Sequence, residues 1–496
     1  MSKIHYYEKL IQEKRKKTPF REFLMEIASW LVLNMYKNKG QISKYPDTAR
    51  SPHIDNKDFL NNEKYALDYD NKSDFFTNYH TLLKTVSLQN ISGSWSNENA
   101  DFCDAAFGVK NGYLSFVAGA WVENIAYSAF CYIELTNIYN SLFVNSTSSN
   151  IYFSAWVTNS HNIFYSKYIT QSSNIWFSTN LIGCQECIIC NELQNQSYCF
   201  QNKQYTKEEY FIKKNELLQD KLKFDEIYKS ISENRPISYL SENAAWTFNI
   251  KDLNVENAYW TNHLSEGRNV AFSWWGNGCT HFYDSVDVGI DSHDFYGVCG
   301  AGENTDNIYC SIYMDRSSHI YYSWFMGDCS FCLWCIGLKN KSYCILNRQY
   351  TKEEWYEKVD QIFSQMERAG TLWDFFPGKI NPYYFNDTLA YLIDNSFTKE
   401  EVESSGYVWR DAPINADIPE EMTTIKSTEL VKYQQFNQDG EWRINPEILQ
   451  KVIVDEKGNY YRIVQMEYDF LMKHALPLPT THWLERIKSW FCFDSK

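Results

Sequence analysis

Proline is scarce in this chain, 11 in 496 residues, and basic residues are outnumbered: 47 Lys and Arg against 62 Asp and Glu, a net charge of −15. The acidic balance disfavours non-specific binding to nucleic acid or to an anionic membrane, because both need a basic surface. The basic run Lys14-Arg15-Lys16-Lys17 reads as a solvated helix end. There is no apolar run of about 18 residues, so no membrane-crossing helix is expected. The first residues, Met1-Ser2-Lys3-Ile4-His5-Tyr6-Tyr7-Glu8, lack an apolar signal core, and the expected location is cytoplasmic. There the 14 cysteines would be reduced, as thiols or metal ligands and not as a disulfide framework. A nucleophile elbow, a phosphate loop, a dinucleotide fingerprint and HExxH are all missing. Gly276-Asn277-Gly278 is a corner signal and no phosphate cradle.

Aromatic residues are plentiful: 37 Tyr, 31 Phe and 17 Trp, with 44% apolar residues in all. Such a chain can bury a large core, and its length suits about three domains at ~150 residues each. Residues 6–36 read as a helix, 37–72 as an irregular connection, and 74–87 as a short helix or extended lead-in.

From about residue 105 a short period takes over. Asn150-Ile151-Tyr152-Phe153-Ser154 returns as Asn162-Ile163-Phe164-Tyr165-Ser166 and Asn174-Ile175-Trp176-Phe177-Ser178, spaced by 12. Looser copies at Asn111, Asn124 and Asn137 are spaced by 13. A fixed short period is the mark of a solenoid, in which each coil stacks on the last. Ile151, Ile163, Ile175, Cys187 and Cys199 share one position; Val157, Ile169, Leu181, Leu193 and Tyr205 share another. These columns are the expected inward ladders. Strand alternation also turns Phe153, Tyr165 and Phe177 inward, and leaves Tyr152, Phe164 and Trp176 as an outward stripe needing a cover.

A second set of rungs runs from about 245 to 350: Asn257-Ala258-Tyr259-Trp260, Asn269-Val270-Ala271-Phe272-Ser273, Asn307-Ile308-Tyr309-Cys310-Ser311 and His319-Ile320-Tyr321-Tyr322-Ser323. Residues 184–210 and 329–355 match at 15 of 27 positions at a constant offset of 145, the signature of an internal duplication. Each copy then enters a helix through a capping box, Thr206-Lys207-Glu208-Glu209 and Thr351-Lys352-Glu353-Glu354. These helices are expected over 207–230 and 352–368, and Thr398 opens another. The remainder is mixed, with a hairpin turn at Asp455–Asn459 and a helix ending near Lys473.

The expected fold is mainly β with helical caps: two tandem parallel β-solenoid halves of about 12 residues per coil, an N-terminal helix and a small C-terminal α/β segment. The expected divisions are 1–84 (helix and lead-in), 85–206 (first solenoid half), 207–244 (connecting helix), 245–351 (second half), 352–370 (capping helix) and 371–496 (mixed α/β).

The segment ending NKSYCILNRQYTKEEW, the stretch Lys110-Asn111-Gly112-Tyr113-Leu114 and the run from Tyr468 to Pro479 resemble a family of uncharacterised proteins of candidate-phyla-radiation (Patescibacteria) bacteria. The resemblance spans roughly 74–496 and implies no activity. It does imply cysteine pairs of zinc-ribbon type near the C-terminus. This sequence departs there, since only Cys492 follows Cys344.

The sharpest chemical constellation is Cys184, Cys187, Cys190 and Cys199, repeated as Cys329, Cys332, Cys335 and Cys344. Four thiolates can close a tetrahedral structural zinc shell. Equally, Cys187 and Cys199 continue an isoleucine ladder, Cys190 replaces Ser166 and Ser178 at an outward or corner position, and cysteine buries well as a small apolar residue. A second cluster, Asp284, Asp287, Asp291, His293 and Asp294, offers acid–base or cation chemistry, or simply solenoid corners. Three functions follow: a non-enzymatic interaction or scaffold protein with a protein partner or self-association, a carbohydrate-active β-helix enzyme, or a zinc-dependent partner of nucleic acid or the translation machinery. The first is favoured.

Overall fold

The computed structural model describes residues 2–15, 17–38, 41–49, 53–54, 59–93, 96–100, 102–231, 245–248, 260–263, 296–301, 304–414, 418–419 and 421–491. The chain is mainly β, with two parallel β-solenoids. Its helices are α1 (Ile4–Arg15), α2 (Phe20–Glu26), α3 (Phe75–Leu83), α4 (Lys207–Gln219), α5 (Phe224–Ser230), α6 (Lys352–Ala369), α7 (Leu389–Ile393), α8 (Lys399–Ser404), α9 (Gln465–Lys473) and α10 (Trp483–Phe491). Among the described residues no helix is long and apolar enough to cross a membrane. Two compact units each combine distant segments. One comprises Met1–Val32, Tyr45–Asn90 and Ile237–Arg410; the other comprises Leu33–Lys44, Ile91–Pro236 and Asp411–Lys496. The divisions expected from the sequence run consecutively, whereas these units interleave.

In the second-named unit a long strand, Phe102–Ala126, opens into four-residue strands that fall alternately on two parallel stacks. One stack holds Leu142–Asn145, Ala155–Thr158, Lys167–Thr170, Thr179–Ile182 and Asn191–Gln194. The other holds Ser149–Tyr152, His161–Phe164, Ser173–Trp176, Gln185–Ile188 and Ser197–Phe200. The register is the one the period demands: Ile151, Ile163, Ile175, Cys187 and Cys199 pair in one column. Val157, Ile169, Leu181 and Leu193 pair in the other.

The local rule behind the coil is a frame of three. Asn150, Phe153, Trp156 and Asn159 have φ of 55°, 48°, 54° and 48°, and the next coil repeats this at Asn162, Tyr165, Tyr168 and Gln171. A left-handed residue between extended ones turns the chain, so twelve residues make four corners. The residue after each corner points inward: Ile151, Ser154, Val157 and Ser160 are all fully buried. Two-fold alternation therefore fails here. Phe153, Tyr165 and Phe177 are corner residues outside the coil. They are covered by α5, whose Tyr228 lies 4.9 Å from Phe153 and whose Phe224 lies 5.1 Å from Phe177. The adjacent column of Tyr152, Phe164 and Trp176 is outward, as expected, and it too is covered. Phe470 of α9 and the following His474 pack on it, at 6.1 Å from Tyr152 and 5.3 Å from Phe164.

Left-handed backbone costs a residue with a Cβ about 1 kcal/mol. Two kinds of outer ladder offset it. Phe130, Phe143, Trp156 and Tyr168 stack in sequence at 5.0, 5.4 and 4.7 Å. Asparagine, the residue most at ease in this region besides glycine, forms an amide ladder. Asn99, Asn111, Asn124, Asn137, Asn150 and Asn162 each donate Nδ2 to the next Oδ1 at 2.8–3.0 Å, and Asn174 accepts the last of these bonds. The 13-residue coils carry their extra residue as a doubled corner, Ala120-Trp121, Ile133-Glu134 and Ser146-Thr147, each a pair with positive φ. All inward positions are thereby kept.

Inside, serines hold adjacent coils together. Ser166 Oγ donates to the Phe164 carbonyl at 2.8 Å and accepts the Ser178 amide at 3.0 Å. Ser154 and Ser160 do the same one coil earlier.

The other unit repeats the arrangement with Asp306–Asp315, Ser318–Tyr321, Trp324–Gly327, Ser330–Leu333, Ile336–Lys339 and Ser342–Ile345. Ile308, Ile320, Cys332 and Cys344 form its inward column. Helix α6 begins with the expected capping box and closes over the coil through Trp355, whose Nε1 donates to the Cys344 carbonyl at 3.1 Å. Pro19 divides the expected 6–36 helix into α1 and α2. The basic run is no free helix end either: Arg15 is buried, with its guanidinium 2.9 Å from Glu26. The rungs at 257–259 and 269–273 lie outside the described residues.

Candidate functional site

Cys184, Cys187 and Cys190 occupy three successive inward positions of one coil, and Cys199 lies in register with Cys187 on the next. Cys329, Cys332, Cys335 and Cys344 repeat this in the other unit. All eight are buried. The frame of three explains the CxxCxxC spacing, because every third residue faces the axis.

Each sulfur inherits a task from the coil before it. Cys187 and Cys332 continue isoleucine columns, below Ile175 and Ile320. Cys184 and Cys190 continue the serine columns. Cys190 Sγ donates to the Ile188 carbonyl at 3.3 Å and accepts the Asn202 amide at 3.4 Å, the two bonds Ser178 makes one coil earlier. Cys184 Sγ donates to the Ile182 carbonyl at 3.5 Å. Cys329 and Cys335 donate to the Gly327 and Leu333 carbonyls at 3.2 and 3.4 Å. Cys190 is thus an inward residue, as are Ser166 and Ser178, and not the outward or corner position expected from alternation.

The thiols also meet one another. Cys187 is the hub: bonds to Cys184 and Cys190, together with burial, raise its pKa, while the same bonds lower Cys184 and Cys190. In the other unit burial and three thiol neighbours raise Cys332, and its bond lowers Cys329. Four soft sulfurs are the right donors for zinc. Yet Cys184, Cys190, Cys329 and Cys335 are engaged as thiol rungs, and among the described residues no group of three or more His, Cys, Asp or Glu is placed to hold a metal ion. If the sulfurs are rungs, replacing Cys184 and Cys190 together by Ser should leave the melting temperature within a few degrees of the unmodified protein. A large fall accompanied by loss of bound zinc would assign them to metal instead.

Asp284, Asp287, Asp291, His293 and Asp294 lie outside the described residues. Sequence reasoning passed over a different ionisable group, Glu467 in the first turn of α9. Its side chain is fully buried and accepts from Asn140 Nδ2 at 2.7 Å, with Arg486 at 4.0 Å. Burial pushes its carboxyl up to about 7, against the opposing pull of Arg486. A folded-state value above the unfolded one means that stability is greatest at low pH and declines as pH rises from about 4.5 to about 7. The rise corresponds to roughly 3 kcal/mol at most. Urea unfolding across pH 4–8 should show that slope, and Glu467→Gln should flatten it. No sequence signal marks this glutamate, since nothing local says that α9 lies on the solenoid.

The outermost feature is a polar face. Beside the asparagine ladder runs a column of Ser149, His161, Ser173, Gln185 and Ser197, partly or fully exposed and joined at one step by a 2.8 Å hydrogen bond between Ser149 Oγ and His161 Nδ1. Compared with protein-family models, curated proteins and solved structures, the chain matches none of them.

Proposed function

We propose that this protein is a non-enzymatic interaction scaffold. The observation that carries the reading is the polar face of the first solenoid. Six consecutive amide–amide bonds fix its asparagines in a line, and the Ser149–Ser197 column stands beside them at the coil spacing of roughly 4.8 Å. A surface already immobilised by its own hydrogen bonds loses little further entropy when it is bound. Repeat proteins use extended faces of this kind for recognition. The acidic net charge favours a protein partner over nucleic acid.

The test is affinity capture from native cells with the full chain and with a His161→Glu, Ser173→Arg variant. A partner retained by the unmodified chain and lost by the variant is the expected result. Turnover of a polysaccharide panel, abolished by Asp287→Asn and Asp291→Asn, would replace the scaffold with the carbohydrate-active alternative.

A further inference from the structure

The two solenoids end differently, and the difference locates a docking edge. In one unit the last strand of its stack, Ile336–Lys339, is closed by residues 59–63 of the same unit. Asn61 forms an antiparallel bridge with Leu338, and Asn347 Nδ2 donates to the Asn62 carbonyl at 3.0 Å. Leu338 and Asn347 are 1% and 3% exposed. Gly337 permits this, since a Cβ there would run into the Phe59 carbonyl and the Asn62 amide. Lys341 forms an ion pair with Glu63.

The equivalent strand of the other unit, Asn191–Gln194, has no such cover among the described residues. Leu193 is half-buried, and Asn202, the counterpart of Asn347, is exposed. Asn202 keeps the bonds its counterpart makes within the coil, accepting from the Asn191 amide at 2.8 Å and donating to the Asn191 carbonyl at 2.9 Å. Among the described residues its second amide hydrogen has no acceptor corresponding to the one that Asn62 supplies in the other copy. Ile182, 44% exposed, stands where the other copy has Gly327. Glu192 replaces Gly337, so the tight 59–63 cap cannot be reproduced here. Gln196 replaces Lys341, so nothing here calls for an acidic partner residue.

We propose that Asn191–Gln194 is a docking edge for an extended, lysine- or arginine-bearing segment of a partner protein. The proposal rests on the scaffold reading and names its second surface. The segment adds antiparallel along Glu192–Gln194, beyond the Asn191 backbone groups that Asn202 already holds, as strand-addition ligands do. An aliphatic residue covers Ile182 and Leu193, a cation meets Glu192, and a backbone carbonyl takes the spare Asn202 hydrogen. An edge strand with only one charge on it is otherwise an aggregation hazard, which gives the chain a reason to keep it occupied.

The probe is a fluorescent seven-residue peptide alternating Lys with Val or Thr, titrated into the full chain and read by anisotropy. Saturable binding is expected, weakened about tenfold or more by Ile182→Lys and separately by Glu192→Lys. Both positions lie on the exposed surface, and thermal melts confirm folding. No saturable binding, or binding unchanged in both variants, overturns the proposal. So does a concentration-dependent dimer dissolved by Ile182→Lys, which would make a second copy the occupant. A partner captured equally well by the Glu192→Lys chain would leave the scaffold reading standing and remove this edge from it.

Discussion

Ser166→Ala should cost about 2 kcal/mol in urea unfolding, and Ser166→Cys well under 1 kcal/mol. The alanine leaves the buried Ser178 amide without a partner and takes one of two donors from the Phe164 carbonyl, which keeps the Phe177 amide at 3.1 Å. One orphaned buried amide costs about 1–3 kcal/mol. The cysteine can serve both groups, as Cys190 does two coils further on at 3.3 and 3.4 Å. If alanine and cysteine were equally stable, the inner ladder would contribute nothing and the thiol sets would need another explanation. The pair therefore tests the coil and the candidate site together.

Asn162→Val should be destabilising by about 3 kcal/mol, and Asn162→Gly by about 1–2 kcal/mol less than that. Both remove two amide bonds, from Asn150 at 2.9 Å and to Asn174 at 2.8 Å. Only valine must also hold a β-branched side chain at the φ of 56° that this corner requires. Chemical unfolding midpoints of the two variants separate backbone strain from ladder bonding. Equal midpoints would mean that the left-handed corner carries no strain at this position.

The period itself was legible in the sequence, because a column of Ile151, Ile163 and Ile175 leaves no other spacing. The direction of the neighbouring side chains was not. Strand alternation is the habit of a flat sheet, and it misplaced Phe153, Tyr165, Phe177 and Cys190. Here four residues of every twelve are left-handed, and the strands between corners are too short for a two-residue rhythm to persist. Serine recurring every six residues was the available clue: a small hydroxyl repeated that strictly suits an interior more than a surface. The capping boxes at Thr206 and Thr351 were readable because their partners are three residues away. The pairing of chain-distant segments, such as α9 with the first solenoid and residues 59–63 with the end of the second, was not readable. It depends on apolar faces meeting across hundreds of residues.

The frame of three also decides which changes of length the chain can absorb. Deleting one residue within a side of the coil turns every following side chain by one position and puts Ile where Asn should stand. Deleting three keeps inward residues inward but moves isoleucine onto the serine side. Deleting six keeps both but puts Trp156 where Asn150 stood, so only a whole circuit, or one residue added at a corner as at Ile133-Glu134, also keeps the asparagine corners in line. The protein can therefore lengthen or shorten along its axis by complete coils, with its cross-section unchanged. In lineages that carry it, variation in length should fall in steps of twelve or thirteen residues.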